Sequence, residues 1–190
     1  MNNPLIVDTT FKNKKYSENR LPKAEYEHCI FDTCIFSKAE LTNSTFSSCE
    51  FIDCDLSNAN LKETSLKDCV FKNCKLLGIN FGLCDTFLLS FSFDNCIMDY
   101  ASFEHLKLKK TLFTSCKMQQ VDFTNSDLTE AIFEQCDLVN AIFSNTNLEK
   151  TDFRTAYHFS IHPEENRLKK AKFSKDNLEG LLRCYKIDVR

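Results

Sequence analysis

From Thr111 to Phe153 the chain reads, in fives, TLFTS, CKMQQ, VDFTN, SDLTE, AIFEQ, CDLVN, AIFSN, TNLEK and TDF. Each unit opens on a small residue and carries Phe, Leu or Met two places later. A period of five matches neither an amphipathic helix nor a long strand, so the segment is an internal repeat and is treated as one before any element is assigned. With the Phe/Leu position called i, residues i−2 and i of three extended residues point to one side and i−1 to the other. Each unit therefore buries two side chains, and its remaining residues turn a corner.

A second period sets the number of corners per coil. Cys34, Cys54, Cys74 and then Cys96, Cys116 and Cys136 fall at i−2, twenty residues apart on either side of one slip. Phe31, Phe51, Phe71, Phe91 and then Phe113, Phe133 and Phe153 do the same at i. Both series slip by two residues between Phe91 and Met98, which predicts a bulge within SFDN. Four units per coil place each residue above its predecessor at the ~4.8 Å strand spacing. The pattern predicts an all-β solenoid of parallel coils.

Units such as SDLTE, AIFEQ and AIFSN resemble those of pentapeptide-repeat proteins, over roughly Ala24 to Phe173. The resemblance implies a right-handed quadrilateral β-helix with i and i−2 inside. Within that family, LLGINFGLCD in mid-chain and the ending NRLKKAKFSKDNLEGLL are similar to the quinolone-resistance (Qnr) type. That likeness implies a rod-like dimer that imitates DNA and binds a type II topoisomerase, DNA gyrase or topoisomerase IV, protecting it from quinolones. A pentapeptide-repeat scaffold for some other protein needs the same rod.

The pattern divides the chain into residues 1–23, an N-terminal cap over the first coil; 24–173, the repeat; and 174–190, a helix and tail. In the first segment Phe11, Tyr16 and Leu21 keep the spacing, but Lys14 stands at an inward position. At the other end His158 and Pro163 fall on centres and loosen the coil before Leu168 and Phe173 recover it. Ser174 is then the expected N-cap of a short helix from Lys175 to about Arg183. Leu178, Leu181 and Leu182 share one face of it, and Ile187 and Val189 are placed as a final strand. A helix this short needs cover, from the last coil or from a second subunit. These five residues are the expected dimer contact.

Net charge refines the picture. Residues 1–23 and 161–190 each carry +3, whereas 24–160 carry −9, so an acidic rod has basic ends. On outward positions of the C-terminal coils stand Asp122, Asp127, Glu130, Glu134, Asp137, Glu149 and Asp152, the expected partner-binding array. A fixed array of one sign steers a basic partner. By column, the faces headed by Phe31 and Leu41 are acidic, that headed by Phe36 is neutral, and that headed by Tyr26 mixes acids with Lys107, Lys109 and Lys110.

Ten of the eleven cysteines sit at i−2, where Ala, Thr, Ser and Val stand elsewhere, which marks them as small buried residues and leaves Cys184 as the one reactive candidate. No C-x-x-C, Walker loop, Gly-rich dinucleotide turn or H-E-x-x-H occurs. His28 and His105 fall at outward i+2, among solvated positions. The sequence therefore predicts no enzyme, no metal and no cofactor. No apolar run reaches the ~20 residues of a membrane span and Met1–Lys23 lacks a signal-peptide core, so a cytoplasmic location is expected.

Overall fold

Three extended residues and a corner, repeated four times, bring residue n and residue n + 20 into parallel register. Pairing follows that arithmetic in the computed structural model, which describes residues 3–187. Strands β1 (Leu5–Val7), β3 (Glu25–Glu27), β5 (Thr45–Ser47) and β7 (Ser65–Lys67) form one parallel sheet. On the next side lie β2 (Thr10–Lys12), β4 (Ile30–Asp32), β6 (Glu50–Ile52), β8 (Cys69–Lys72), β9 (Phe91–Asp94), β10 (Leu112–Thr114) and β11 (Ile132–Glu134). Isolated parallel bridges such as Ile35↔Asp55↔Lys75 and Ser102↔Asp122↔Ile142 build the other two sides. The result is a four-sided parallel β-solenoid.

Its core is aromatic because the rung spacing suits stacked rings. Phe11, Phe31, Phe51, Phe71, Phe93, Phe113, Phe133, Phe153 and Phe173 form one stack of nine, with centroids 4.8–5.4 Å apart. That spacing lies within the 4.5–7 Å range aromatic pairs prefer. A second stack, Phe81, Phe103, Phe123 and Phe143, meets the first edge-on, as Phe103 does Phe113 at 84°.

Corners place a non-glycine residue in the left-handed region at i+2, as in Asn13, Asp53 and Asn73 with φ of 53–55°. Where the corner is closed by a hydrogen bond, as from Ala59 N–H to Leu56 O at 3.0 Å, it has the positive third-residue φ of a type II turn. Asn and Asp tolerate this conformation better than other non-glycine residues. Tyr100 adopts φ 62° with its side chain exposed, so Tyr100→Asn is expected to raise stability by about 0.5–1 kcal/mol, read as a higher Tm.

The slip lies earlier than the sequence pattern predicts. Ser65 bridges Asp85, twenty residues on, but Cys69 pairs with Phe91 and Phe71 with Phe93, twenty-two on. The extra residues are absorbed between Asp85 and Ser90, not between Phe91 and Met98, and Phe93 rather than Phe91 continues the stack. Two phenylalanines at the same inward parity made the choice ambiguous, since both are buried. Thr86, on the five-residue spacing, is expelled to the surface, and Leu89 packs against the core instead.

Both ends also differ from expectation. Residues 5–23 are a true coil: β1 and β2 pair with β3 and β4, and Leu21 is buried. Lys14 is tolerated because this terminal coil leaves it exposed. At the other end His158 turns outward at φ 60°, while Phe159 and Ile161 fill the interior. The tail forms 3-10 turns over Lys175–Leu181 and Arg183–Tyr185 instead of one continuous helix. Ser174 stands at the N-cap but its side chain makes no capping bond.

Tail and last coil are joined by specific contacts. Asn177 Nδ2 donates to Phe153 O and Ala156 O at 2.9 and 3.0 Å, and Ile161 N–H donates to Gly180 O at 3.0 Å. Gly180 is buried against Phe159, Leu181 packs on the core, and Leu182 is half-buried. Of the expected dimer contact, Leu178 and Ile187 stay exposed, Ile187 lies in no strand, and Val189 falls outside the described residues.

Candidate partner-binding surface

The inward cysteines are structural. Cys54 and Cys136 donate from Sγ to Phe31 O and Phe113 O at 3.2 and 3.3 Å, in the manner of Thr64 and Thr146 hydroxyls to Leu41 O and Phe123 O at 2.9 Å. Thr146→Val removes one of two donors to the Phe123 carbonyl, which keeps the Ser126 N–H at 3.1 Å, and is expected to cost about 0.5–1.5 kcal/mol in denaturant unfolding. Burial pushes the Cys49 thiol up to about 11 and Cys84 up to about 12. Unfolded thiols ionise first, so these two groups withdraw stability as pH rises from 9.0 toward about 11. Cys184 alone is half-exposed. A thiol reagent at neutral pH is expected to modify one of the eleven cysteines in the folded chain and all of them in denaturant.

Histidine placement follows corner chemistry. His28, His105 and His158 all occupy left-handed corners, with φ of 51, 62 and 60°. Among the described residues no group of His, Cys, Asp and Glu is arranged to hold a metal ion.

The carboxylates expected as one array divide by position in the unit. Asp122, Asp127, Asp137 and Asp152 stand at i−1 and accept from the amide two residues on: Thr124, Thr129, Val139 and Arg154, at 2.8–3.3 Å. This is the local Asx bond that stabilises turns. Asp127 and Asp152 are also ion-paired, and Asp137 is hydrogen-bonded to an imidazole. Asp127 meets Lys109 at 3.3 Å; Asp152 meets Arg154 at 2.7 Å and Lys172 at 3.8 Å; Asp137 meets His158 at 2.8 Å. Glu130 lies 2.6 Å from Lys150, and Glu149 lies 2.7 Å from Arg167. The Arg154 guanidinium holds Asp152 below its ordinary value, as Lys150 does Glu130. Burial opposes ionisation of Asp127, but the Thr129 and Lys109 bonds outweigh it.

Among the described residues, Asp122 and Glu134 are the members of the array without a basic partner. Glu134 stands at i+1 of β11, where no local amide is offered. Asp94 occupies the equivalent place on β9, and both flank Thr114 of β10 in register. Asp53, at the adjoining corner, is likewise unpaired and exposed. Sequence reasoning missed Asp53 and Asp94 because it weighed charge density in the C-terminal coils. The usable signal was position: an acid at i+1 or i+2 has no turn amide to accept. Alongside Glu134 lie Leu112 and Ile132, 39% and 42% exposed, so from β9 to β11 this side of the rod is a flat acidic and apolar patch, bounded by Lys72 in register with Asp94 and by Arg154 on the rung beyond Glu134.

Comparison with known proteins agrees with this geometry. The family model of the pentapeptide repeat region matches residues 64–141 and 87–162, together more than half of the chain. The chain is a pentapeptide-repeat protein. The model of the SV2A/B/C luminal domain matches residues 1–76, the N-terminal coils. No curated protein matches closely enough to count as a relative. Among solved structures, a trypsin-treated variant of QnrB1, a plasmid-mediated fluoroquinolone resistance protein, is 19% identical over 100% of both chains, with a TM-score of 0.56. HetL, a pentapeptide-repeat protein of the cyanobacterium Nostoc, is 16% identical over 92% of this chain and 88% of its own, with a TM-score of 0.32. At such identity the likeness to QnrB1 establishes a shared fold.

Proposed function

We propose that this pentapeptide-repeat protein is a protein-binding rod whose partner is a type II topoisomerase, gyrase or topoisomerase IV. It occupies the basic DNA-gripping surface in place of DNA and so lowers the action of quinolones. The observation that carries the reading is the rigid rod of nine stacked rungs, about 38 Å long at ~4.8 Å per rung, bearing a sheet face with unpaired acids at Asp53, Asp94 and Glu134. Duplex DNA of that length carries roughly twenty-two charges at one per ~1.7 Å, against a net −9 on residues 24–160, so the imitation rests on where the unpaired acids stand, two rungs or ~10 Å apart. The fold is shared with a plasmid-mediated fluoroquinolone resistance protein, which is in keeping with an effect on quinolone action.

A scaffold for another protein is the second reading, favoured by one observation: Leu112 and Ile132 dilute the acidic face with apolar surface. A supercoiling assay with purified gyrase and ciprofloxacin separates the two. Restored supercoiling at inhibitory drug supports the topoisomerase reading. Unchanged drug sensitivity, with neither gyrase subunit retained on the immobilised protein, supports the scaffold.

A further inference from the structure

The side of the rod headed by Tyr26 has an organisation that the acidic face lacks. Its rungs begin at Leu5, Glu25, Thr45, Ser65 and Asp85 and, after the slip, at Lys107, Asp127, Asn147 and Arg167. The fifth of these nine rungs carries the bulge, where Phe87 and Leu88 are 67% and 64% exposed. Lys67 Nζ lies 5.6 Å from the Phe87 ring centroid and Asp85 Oδ1 accepts from Phe87 N–H at 3.0 Å, so the bulge is held outward. The middle of this face is apolar.

Its two halves are opposite in sign. Below the bulge stand the acids Asp8, Glu25, Glu27 and Asp68, against Lys67 alone. Above it stand Lys107, Lys109 and Lys110, then Lys150, and at the tip Arg167, Lys169 and Lys170. The acids of that half pair with four of these bases, Asp127 with Lys109, Glu130 with Lys110 and Lys150, and Glu149 with Arg167, so seven bases against three acids leave the half at +4. The centres of the halves lie five rungs or about 24 Å apart at ~4.8 Å per rung, beyond the ~8 Å screening length near 0.15 M salt, so a partner meets them as separate fields.

We propose that this face binds a second copy of the same chain, antiparallel and side by side. A two-fold axis through the bulge sets Phe87 and Leu88 against their own copies. It also sets the first rung, with Asp8, against the Arg167, Lys169 and Lys170 rung of the partner. Leu5 and Val7, exposed on that first rung, then meet the alkyl stems of those basic side chains. Such a contact is isologous and closes after two subunits. A face of this length and three extended residues in width covers roughly 500 Å² per chain, near the lower bound of about 1,000 Å² in total for specific contacts. The dimer is therefore reversible and salt-sensitive. It leaves the acidic sheet face open and does not rest on the topoisomerase reading.

Charge reversal tests it directly. The intact chain, 22.0 kDa, is expected to sediment at about twice that mass at roughly 50 µM in 50 mM NaCl and as a monomer in 0.5 M NaCl. One variant carries Lys109→Glu, Lys169→Glu and Lys170→Glu; another carries Asp8→Lys, Glu25→Lys and Glu27→Lys. Each is expected to be monomeric alone, because like halves then meet, and an equimolar mixture is expected to restore the dimer. Circular dichroism melts check that both stay folded. Should either unfold, Phe87→Cys in a Cys184→Ser background supplies the second measurement, with a short bis-maleimide expected to join two chains at the bulge. A monomeric intact chain overturns the proposal. So does a dimer that survives both reversals but is lost in Leu178→Asp, or a failure of the mixed variants, both folded, to associate.

Discussion

Phe133→Ala is expected to cost about 3–5 kcal/mol, the range for removing a fully buried ring and leaving its cavity. Phe133 stacks between Phe113 and Phe153 at 4.8 and 4.9 Å and meets Phe123 and Phe143 edge-on. Rungs above and below are tied by parallel bridges and cannot close on the gap without breaking register. Phe11→Ala removes the same ring at the end of the stack, where one side is half-open and the column neighbour is Phe31 alone. In a solenoid each rung is stabilised chiefly by its neighbours, so the terminal substitution is expected to cost about half as much. Denaturant unfolding of the two variants compares them. Equal losses would mean that burial by the stack does not set the cost.

Gly180→Ala carries the second-largest expected effect. A Cβ at that position overlaps Phe159 Cε2 and comes to 2.7 Å from Phe159 O. The ring is itself wedged against Phe153 and Phe173 at 5.6 and 5.5 Å, so it has little room to retreat. Overpacking of this kind costs about 1–3 kcal/mol. The strain falls on the joint between tail and last coil, so residues beyond Phe173 are expected to become sensitive to limited proteolysis while the coils below stay protected. Leu178→Ala, at an exposed side chain, is expected to change stability by less than about 0.5 kcal/mol. A tail that resists protease in Gly180→Ala would contradict the capping role.

The coil was legible in the sequence because one rule, i and i−2 inward, is enforced by burial in all but a few units, those of Lys14, Thr86 and His158 being the exceptions. Where two answers satisfied that rule, the reading went astray. Phe91 and Phe93 both point inward, so only the ladder partners Cys69 and Phe71 reveal that the slip precedes them. Residues 5–23 looked irregular because Lys14 breaks the inward pattern, yet a terminal coil needs no inner neighbour on its outer side. His158 could not be distinguished from Phe159 as the inward residue without knowing that the tail presents Gly180 to Phe159. The binding surface was less legible than the fold. Asp122, Asp127, Asp137 and Asp152 are acidic at i−1, and their shared amide bond is a local requirement that charge counting does not register.

That division separates structure from binding among the acids. Reversing Asp127 or Asp152 removes turn bonds and ion pairs and is expected to lower stability, whereas reversing the unpaired Asp53, Asp94 and Glu134 leaves the fold intact and changes what the rod attracts. Equilibrium binding of the intact chain to purified gyrase, measured from 50 to 300 mM NaCl beside the triple variant Asp53→Lys, Asp94→Lys and Glu134→Lys, tests the central claim. Binding that weakens as salt rises and is lost in the folded triple variant is the predicted result. No binding at 50 mM NaCl, or binding unchanged by salt and by charge reversal, would contradict it.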